Sequence, residues 1–206
     1  MAKDWIHGEK RISGRWIFRD FFFRIFLYFL IPFITTRFFP ISLTKMGFIK
    51  PTTLQILVAL LLSFISFSVC LFFRSKSKKK RQLHPVKDLL FSLYSFFINA
   101  PSEEFFFRGF IFYLGSFLTG SMFIGLVISS FLFGFQHFIF FGASLRSVFF
   151  DIIGGFFFGI IYICLGKSLI PVTIVHGISN LAIFTVGNYI LQKGGIKSNE
   201  TNNSNQ

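Results

Sequence analysis

Long apolar runs parted by short polar or basic stretches make up most of this chain. Leu54 to Phe73 is the plainest, an apolar run of about 20 residues, the length that the hydrocarbon core of a bilayer demands of a helix. Asp88 to Leu114, Ser121 to Phe141, Leu145 to Leu165 and Leu169 to Ile190 follow it. Phe21 to Thr36 comes before it and is interrupted by Arg24 and Pro32, so it reads as either a spanning or an interfacial helix. This first run is like a secretory signal only superficially: its apolar part is long and no small-residue cleavage site follows, so it is expected to be retained. The pattern predicts an all-α fold, a polytopic transmembrane helical bundle with about six membrane helices.

The polar stretches divide the chain. A basic, cytoplasmic N-terminal segment (1–20) precedes two N-terminal membrane segments (21–73), which are joined by a connection from Arg37 to Thr53 containing Pro40 and Pro51. A basic loop (74–87) leads into a four-helix core (88–190), where Gly155 and Gly159 form a G-x-x-x-G pair that lets two helix backbones approach closely. The connection from Gly115 to Gly120 carries no charge, and the polar tail (191–206) has no apolar periodicity and is expected to be disordered.

Composition sharpens this picture. With 53% hydrophobic residues and 36 Phe among 206, the chain is too apolar for a soluble domain and reads as a multi-pass integral membrane protein. Its net charge of +13 would suit nucleic acid, but such a module spreads Arg and Lys along a polar face with aromatics open for stacking. Here the cations cluster between apolar runs, and the loop from Arg74 to Lys87 is placed on the cytoplasmic side by the positive-inside rule. No nucleic-acid partner is expected. Counting spans from a cytoplasmic N-terminus puts Arg37, Lys45 and Lys50 outside, the one connection that runs against the charge rule. Cys70 and Cys164 lie inside apolar runs and form neither a disulfide framework nor zinc spacing. The compact chain suits a prokaryotic plasma membrane better than an internal eukaryotic one.

Against this background Ser102-Glu103-Glu104-Phe105-Phe106-Phe107-Arg108-Gly109 stands out, with three formal charges in an apolar, helix-length segment. An ionisable side chain at membrane depth costs at least ~2.5–3.5 kcal/mol on insertion scales, so these groups must face protein or water and meet partners. Glu104 and Arg108, four residues apart, share a helix face and can pair. Glu103 is turned roughly 100° from Glu104 and is left for chemistry. Two later helices bring further polar groups: His137, with Phe133 four residues before it on the same face, and His176 with Asn180 four residues on.

Such a set suits activation of water for attack on a carbonyl. Glu103 would be the general base, with His137 orienting the water or holding a metal that does. His176 and Asn180 would donate to the developing oxyanion, a contribution of ~2.7–4 kcal/mol per donor in known hydrolases. Alternatively, Glu103, His137 and His176 supply three ligands to a divalent metal and leave one position open, the layout of catalytic zinc. The residues alone leave both arrangements open. Asp151 reads as a polar helix-start residue near Arg146, and Gln136 has no assigned part.

Glu103-Glu104-x-x-x-Arg108, Phe133-x-x-x-His137 and His176-x-x-x-Asn180 resemble, in this order and on successive helices, the motifs of the CAAX-protease and bacteriocin-processing (CPBP, or Abi) intramembrane proteases of the Ras-converting-enzyme type. Each motif is weak alone and the ordered set is strong. The resemblance covers roughly Asp88 to Ile190, including the lead Gly166-Lys167-Ser168-Leu169-Ile170-Pro171, and says little about residues 1–75. It implies a membrane metalloendopeptidase with a catalytic core in which Glu103 activates water with His137 while His176 and Asn180 stabilise the oxyanion. Glu104, Arg108 and Phe133 would support them, and zinc is the foremost candidate metal. The implied partners are the lipid bilayer and a peptide or protein substrate: a prenylated tail, a leader peptide or another membrane protein. Two other classes also use buried acids and histidines, a non-catalytic immunity or scaffold protein and an ion-coupled transporter. The intact set of both acids and both histidines favours the enzyme, and no inverted repeat favours the transporter.

Overall fold

The computed structural model describes residues 14–39, 41–75, 85–141, 143–187 and 189–190. The start of the basic N-terminal segment, most of the basic loop and the polar tail lie outside the described residues. Those described form six helices and no strand. Helix α1 runs through Gly14–Arg24, a π-helical stretch Ile25–Leu30 and Ile31–Thr35. Helix α2 is Thr53–Ser75, and α3 is continuous from Pro85–Tyr94 through Ser95–Asn99, Ala100–Glu104 and Phe105–Ile111 to Phe112–Thr119. Helices α4 (Met122–Phe141), α5 (Leu145–Cys164) and α6 (Leu169–Phe184) complete the set. Helices α2, α4 and α5 contain stretches long and apolar enough to cross a membrane. On α2, Leu54, Leu57, Leu61 and Phe64 stay exposed, an outward apolar face suited to lipid.

Cross-helix contacts fix the directions. Tyr94 meets Asp20, Ser102 meets Arg24, and Phe106 and Phe107 pack on Tyr28, so α1 runs parallel to α3 along much of its length. Ser66 and Ser179 share a hydrogen bond of 2.6 Å while Gln55 donates to the Leu165 carbonyl, which sets α2 parallel to α6. Phe23 against Phe140 and Tyr28 bonded to Gln136 make α4 antiparallel to α1. The apolar run that began at Phe21 in the sequence thus belongs to a helix that begins by Gly14 and carries Asp20 inside the protein. Ion pairing lets the helix keep an acid that a hydropathy boundary excludes.

Two of the wide, π-helical turns precede a proline. Pro32 and Pro101 lack an N–H, and each ring crowds the carbonyl four residues back, which opens the preceding turn. The third, Phe105–Ile111, has no proline, and it follows the two glutamates directly. π-Bulges of this kind are frequent at functional sites.

Small residues set the closest approaches. A Cβ at Gly155 would stand 3.1 Å from both the Ser130 carbonyl and the Phe133 ring, so the G-x-x-x-G pair serves the α4–α5 crossing. Gly115 stays within α3, where its Cβ would stand 3.2 Å from Cα of Gly125. Only Gly120, in the left-handed conformation, and Ser121 connect α3 to α4, a shorter link than Gly115 to Gly120 because packing against α4 prolongs the helix.

The segment between α1 and α2 is not a plain external loop. Met46 is buried, the Leu169 amide donates to the Gly47 carbonyl (3.0 Å), and Ser168 donates to that of Ile49 (2.7 Å). The α1–α2 and α5–α6 connections therefore lie at one end of the bundle. A Cβ at Gly109 would come within 2.6 Å of the Met46 carbonyl oxygen, so α3 admits this loop only through glycine.

Helix propensity alone favours Ala over Gly by about 1 kcal/mol in a helix interior. Gly109→Ala is nevertheless expected to destabilise the protein by about 1–3 kcal/mol because its Cβ meets backbone, whereas Gly154→Ala, which opens onto empty space, is neutral or slightly stabilising. Thermal unfolding in detergent, with the two variants side by side, checks this.

Candidate active site

Glu103 and Glu104 end the regular turn after Pro101, and their 100° divergence sends them to different partners. Glu104 is fully buried. Its Oε1 lies 2.6 Å from His176 Nδ1 and 3.2 Å from Arg108 Nη1. The Arg108 contact is an ion pair by distance, without the alignment of a hydrogen bond at Nη1. Arg108 Nη2 donates to the Gly155 carbonyl (3.0 Å), and its guanidinium lies 4.4 Å from the centre of the Phe133 ring. Phe158 stacks on His176 at 4.6 Å. The His176 ring is thus held at its edge by Glu104 and on its face by Phe158, which aims Nε2 at Oε2 of Glu103, 3.7 Å away.

Glu103 is not left without a partner, as the sequence led one to expect. Arg24 of α1, itself buried, places Nη1 3.0 Å from Glu103 Oε1. Its Nε donates to Asp20 (2.7 Å) and Nη1 also to Ser102 Oγ (3.2 Å), while Tyr94 donates to the same Asp20 oxygen (2.5 Å). In a medium of low dielectric, an uncompensated carboxylate beside a second one is too costly, and α1 supplies the missing cation.

His137 stands at the rim. Its Nδ1 lies 2.9 Å from the Phe133 carbonyl, which can only accept, so in the neutral ring Nδ1 carries the proton and Nε2 is the basic nitrogen. Asp151 Oδ2 is 3.9 Å from the same Nδ1, and both Asp151 and His137 are within electrostatic reach of Glu103. The side chains of His137 and Asp151 are 23% and 33% exposed against 0% for Glu104, so the site opens on their side. Phe133 joins the two halves, edge-on to His137 (5.3 Å) and to His176 (5.9 Å). Asn180 is buried one helical turn beyond His176.

The structure thus gathers Glu103, Glu104, Arg108, Phe133 and His176 tightly, with His137 and Asn180 flanking them. Sequence reasoning missed Arg24, Asp20 and Tyr94, and it placed Asp151 with Arg146 instead of beside His137. A signal existed for the first pair: Asp20 and Arg24 are spaced i, i+4 at the edge of an apolar run. Tyr28 is bonded to Gln136, the residue before His137, so α1 also braces α4 next to the site.

Among the described residues no group of three or more His, Cys, Asp or Glu side chains is placed to hold a metal ion. Arg24 occupies Oε1 of Glu103 and Glu104 occupies Nδ1 of His176, which leaves Oε2 and Nε2, 3.7 Å apart, as the atoms these two residues can offer to a water or a metal.

Residues 85–182 match a family model described as Rce1-like, type II CAAX prenyl endopeptidase. No curated protein and no solved structure matches the chain. The match supports assignment to the CPBP/CAAX protease family and, at that level, an integral membrane endopeptidase. Helix α1, with Asp20 and Arg24, lies entirely outside the matched residues.

Because Glu104 neutralises a buried guanidinium, Glu104→Gln is expected to cost about 3–5 kcal/mol of stability, the range for breaking a buried ion pair from one side. The double variant Glu104→Gln with Arg108→Met is expected to lose less than the sum of the singles, as read from unfolding temperatures.

Proposed function

We propose that this protein is an intramembrane endopeptidase that hydrolyses a peptide bond with water activated by Glu103 and His137. The observation that carries the reading is the 3.7 Å separation of Glu103 Oε2 from His176 Nε2, too long for a direct hydrogen bond and short enough for both to reach one oxygen of a water or substrate between them. Glu103 takes a proton from water as its oxygen bonds to the scissile carbonyl carbon. The oxyanion so formed accepts hydrogen bonds from His176 and Asn180. His176, held at Nδ1 by Glu104, is oriented so that Nε2 faces the reacting oxygen. Collapse of the tetrahedral intermediate breaks the C–N bond, and Glu103 returns the proton to the leaving amine. No step is routed through a metal.

The substrate enters past His137 and Asp151, at the end of the bundle where α2 finishes and α3 begins. By the excess of cations in the sequence between those two helices this end is cytoplasmic. A prenylated C-terminal tail, a leader peptide or a membrane-protein segment can reach it there.

The test is cleavage of a tagged library of membrane peptides in proteoliposomes by wild type, Glu103→Gln and His137→Ala, with and without a chelator. Wild type is expected to cut, Glu103→Gln to fall by about 10³-fold or more and His137→Ala by about 10²–10⁴-fold, the range for loss of a general acid–base group. Cleavage that survives the chelator points to water activated by Glu103 and His137 alone, and cleavage lost to it and restored by zinc points to water held on a metal. Equal silence of three folded proteins that still bind or protect a partner would put the scaffold reading ahead.

A further inference from the structure

The family match begins at residue 85, yet the cation nearest to Glu103 comes from α1. Arg24 bridges two acids: Nε is on Asp20 and Nη1 on Oε1 of Glu103. Tyr94 in turn donates to Asp20, so the chain Tyr94–Asp20–Arg24–Glu103 leaves α3, crosses α1 and returns to α3 about two helical turns further on. Tyr28 fixes the same guanidinium from its face, 5.3 Å from the ring centre, and packs on Phe106 just beyond the glutamates. A planar fork held at both ends in this way leaves Glu103 one orientation, with Oε1 occupied and Oε2 turned to His176.

We infer that Arg24 is a positioning residue for the hydrolysis proposed above, on which this inference rests: by engaging Oε1 it selects Oε2 of Glu103 as the oxygen that takes the proton from water. Arg24 touches neither water nor substrate and acts through the carboxylate alone. The guanidinium cannot be replaced by an ammonium without loss, because Lys offers a single point charge where Arg spans Asp20 and Glu103 together.

The experiment compares wild type, Arg24→Gln and Arg24→Lys in the same proteoliposome assay. It adds a thermal unfolding cycle of Arg24→Gln, Glu103→Gln and their double variant. For Arg24→Gln, kcat is expected to fall about 10²-fold with KM within about twofold, since the loss is of alignment in the transition state and not of substrate binding. Arg24→Lys is expected to regain about a tenth of wild-type kcat, and it carries the kinetic test if Arg24→Gln does not fold. In the unfolding cycle the double variant is expected to melt no lower than the more damaged single variant, as for two groups that act as a pair. Turnover by Arg24→Gln within about threefold of wild type, a loss confined to KM, or strictly additive melting shifts would overturn the inference. Undiminished cleavage by Glu103→Gln would instead overturn Glu103 as the general base, and the unfolding cycle then reports on the ion pair by itself.

Discussion

The structure depends on the cost of burying charge. Two adjacent carboxylates in an apolar bundle cannot both stay ionised unless each meets its own cation or donor, and neither can share its partner without leaving one acid exposed to low dielectric. The 100° step between neighbouring helical positions solves this by geometry. Glu104 turns to Arg108 and His176, and Glu103 turns to Arg24. The asymmetry of partners becomes an asymmetry of role. Glu104 is locked among groups that orient other residues, whereas Glu103 keeps one oxygen facing an imidazole at a distance that admits a reactant.

The helices are arranged to keep that network closed. Gly155 brings α5 against α4 so that its carbonyl reaches Arg108, and Phe133 and Phe158 sandwich the polar groups between rings. Gly109 admits the buried Met46 loop just beyond Arg108. The π-helical turns around Pro101 and through Phe105–Ile111 bracket the two glutamates, and wide turns of this kind re-aim side chains that a regular helix would hold in register. Helix α1 completes the enclosure from the remaining side with Arg24 and Tyr28.

Much of this was legible in the sequence. Long apolar runs identify the helices because a bilayer admits few alternatives to helical backbone, and an i, i+4 spacing reports a shared face wherever the helix is regular. The Glu104–Arg108 pair and the adjacency of Phe133 to His137 were therefore readable from spacing alone. The partner of Glu103 was not, because it lies some eighty residues away on a helix whose contact with α3 no local pattern encodes. The same limit hid Asp151, whose local neighbour is Arg146 but whose spatial neighbour is His137. Hydropathy also cut α1 short, since a window that scores Asp20 as polar cannot know that a guanidinium one turn later satisfies it.

In the proposed reaction, water activated by Glu103 and His137 adds across a peptide bond whose oxyanion faces His176. Mass spectrometry of peptides incubated with the reconstituted wild-type protein in water enriched in oxygen-18 tests it most directly. A new pair of fragments from one membrane-proximal bond is expected, with solvent oxygen in the newly formed carboxylate from the earliest times. A folded protein that holds the same peptides and returns them uncut, with no solvent oxygen incorporated, would contradict it.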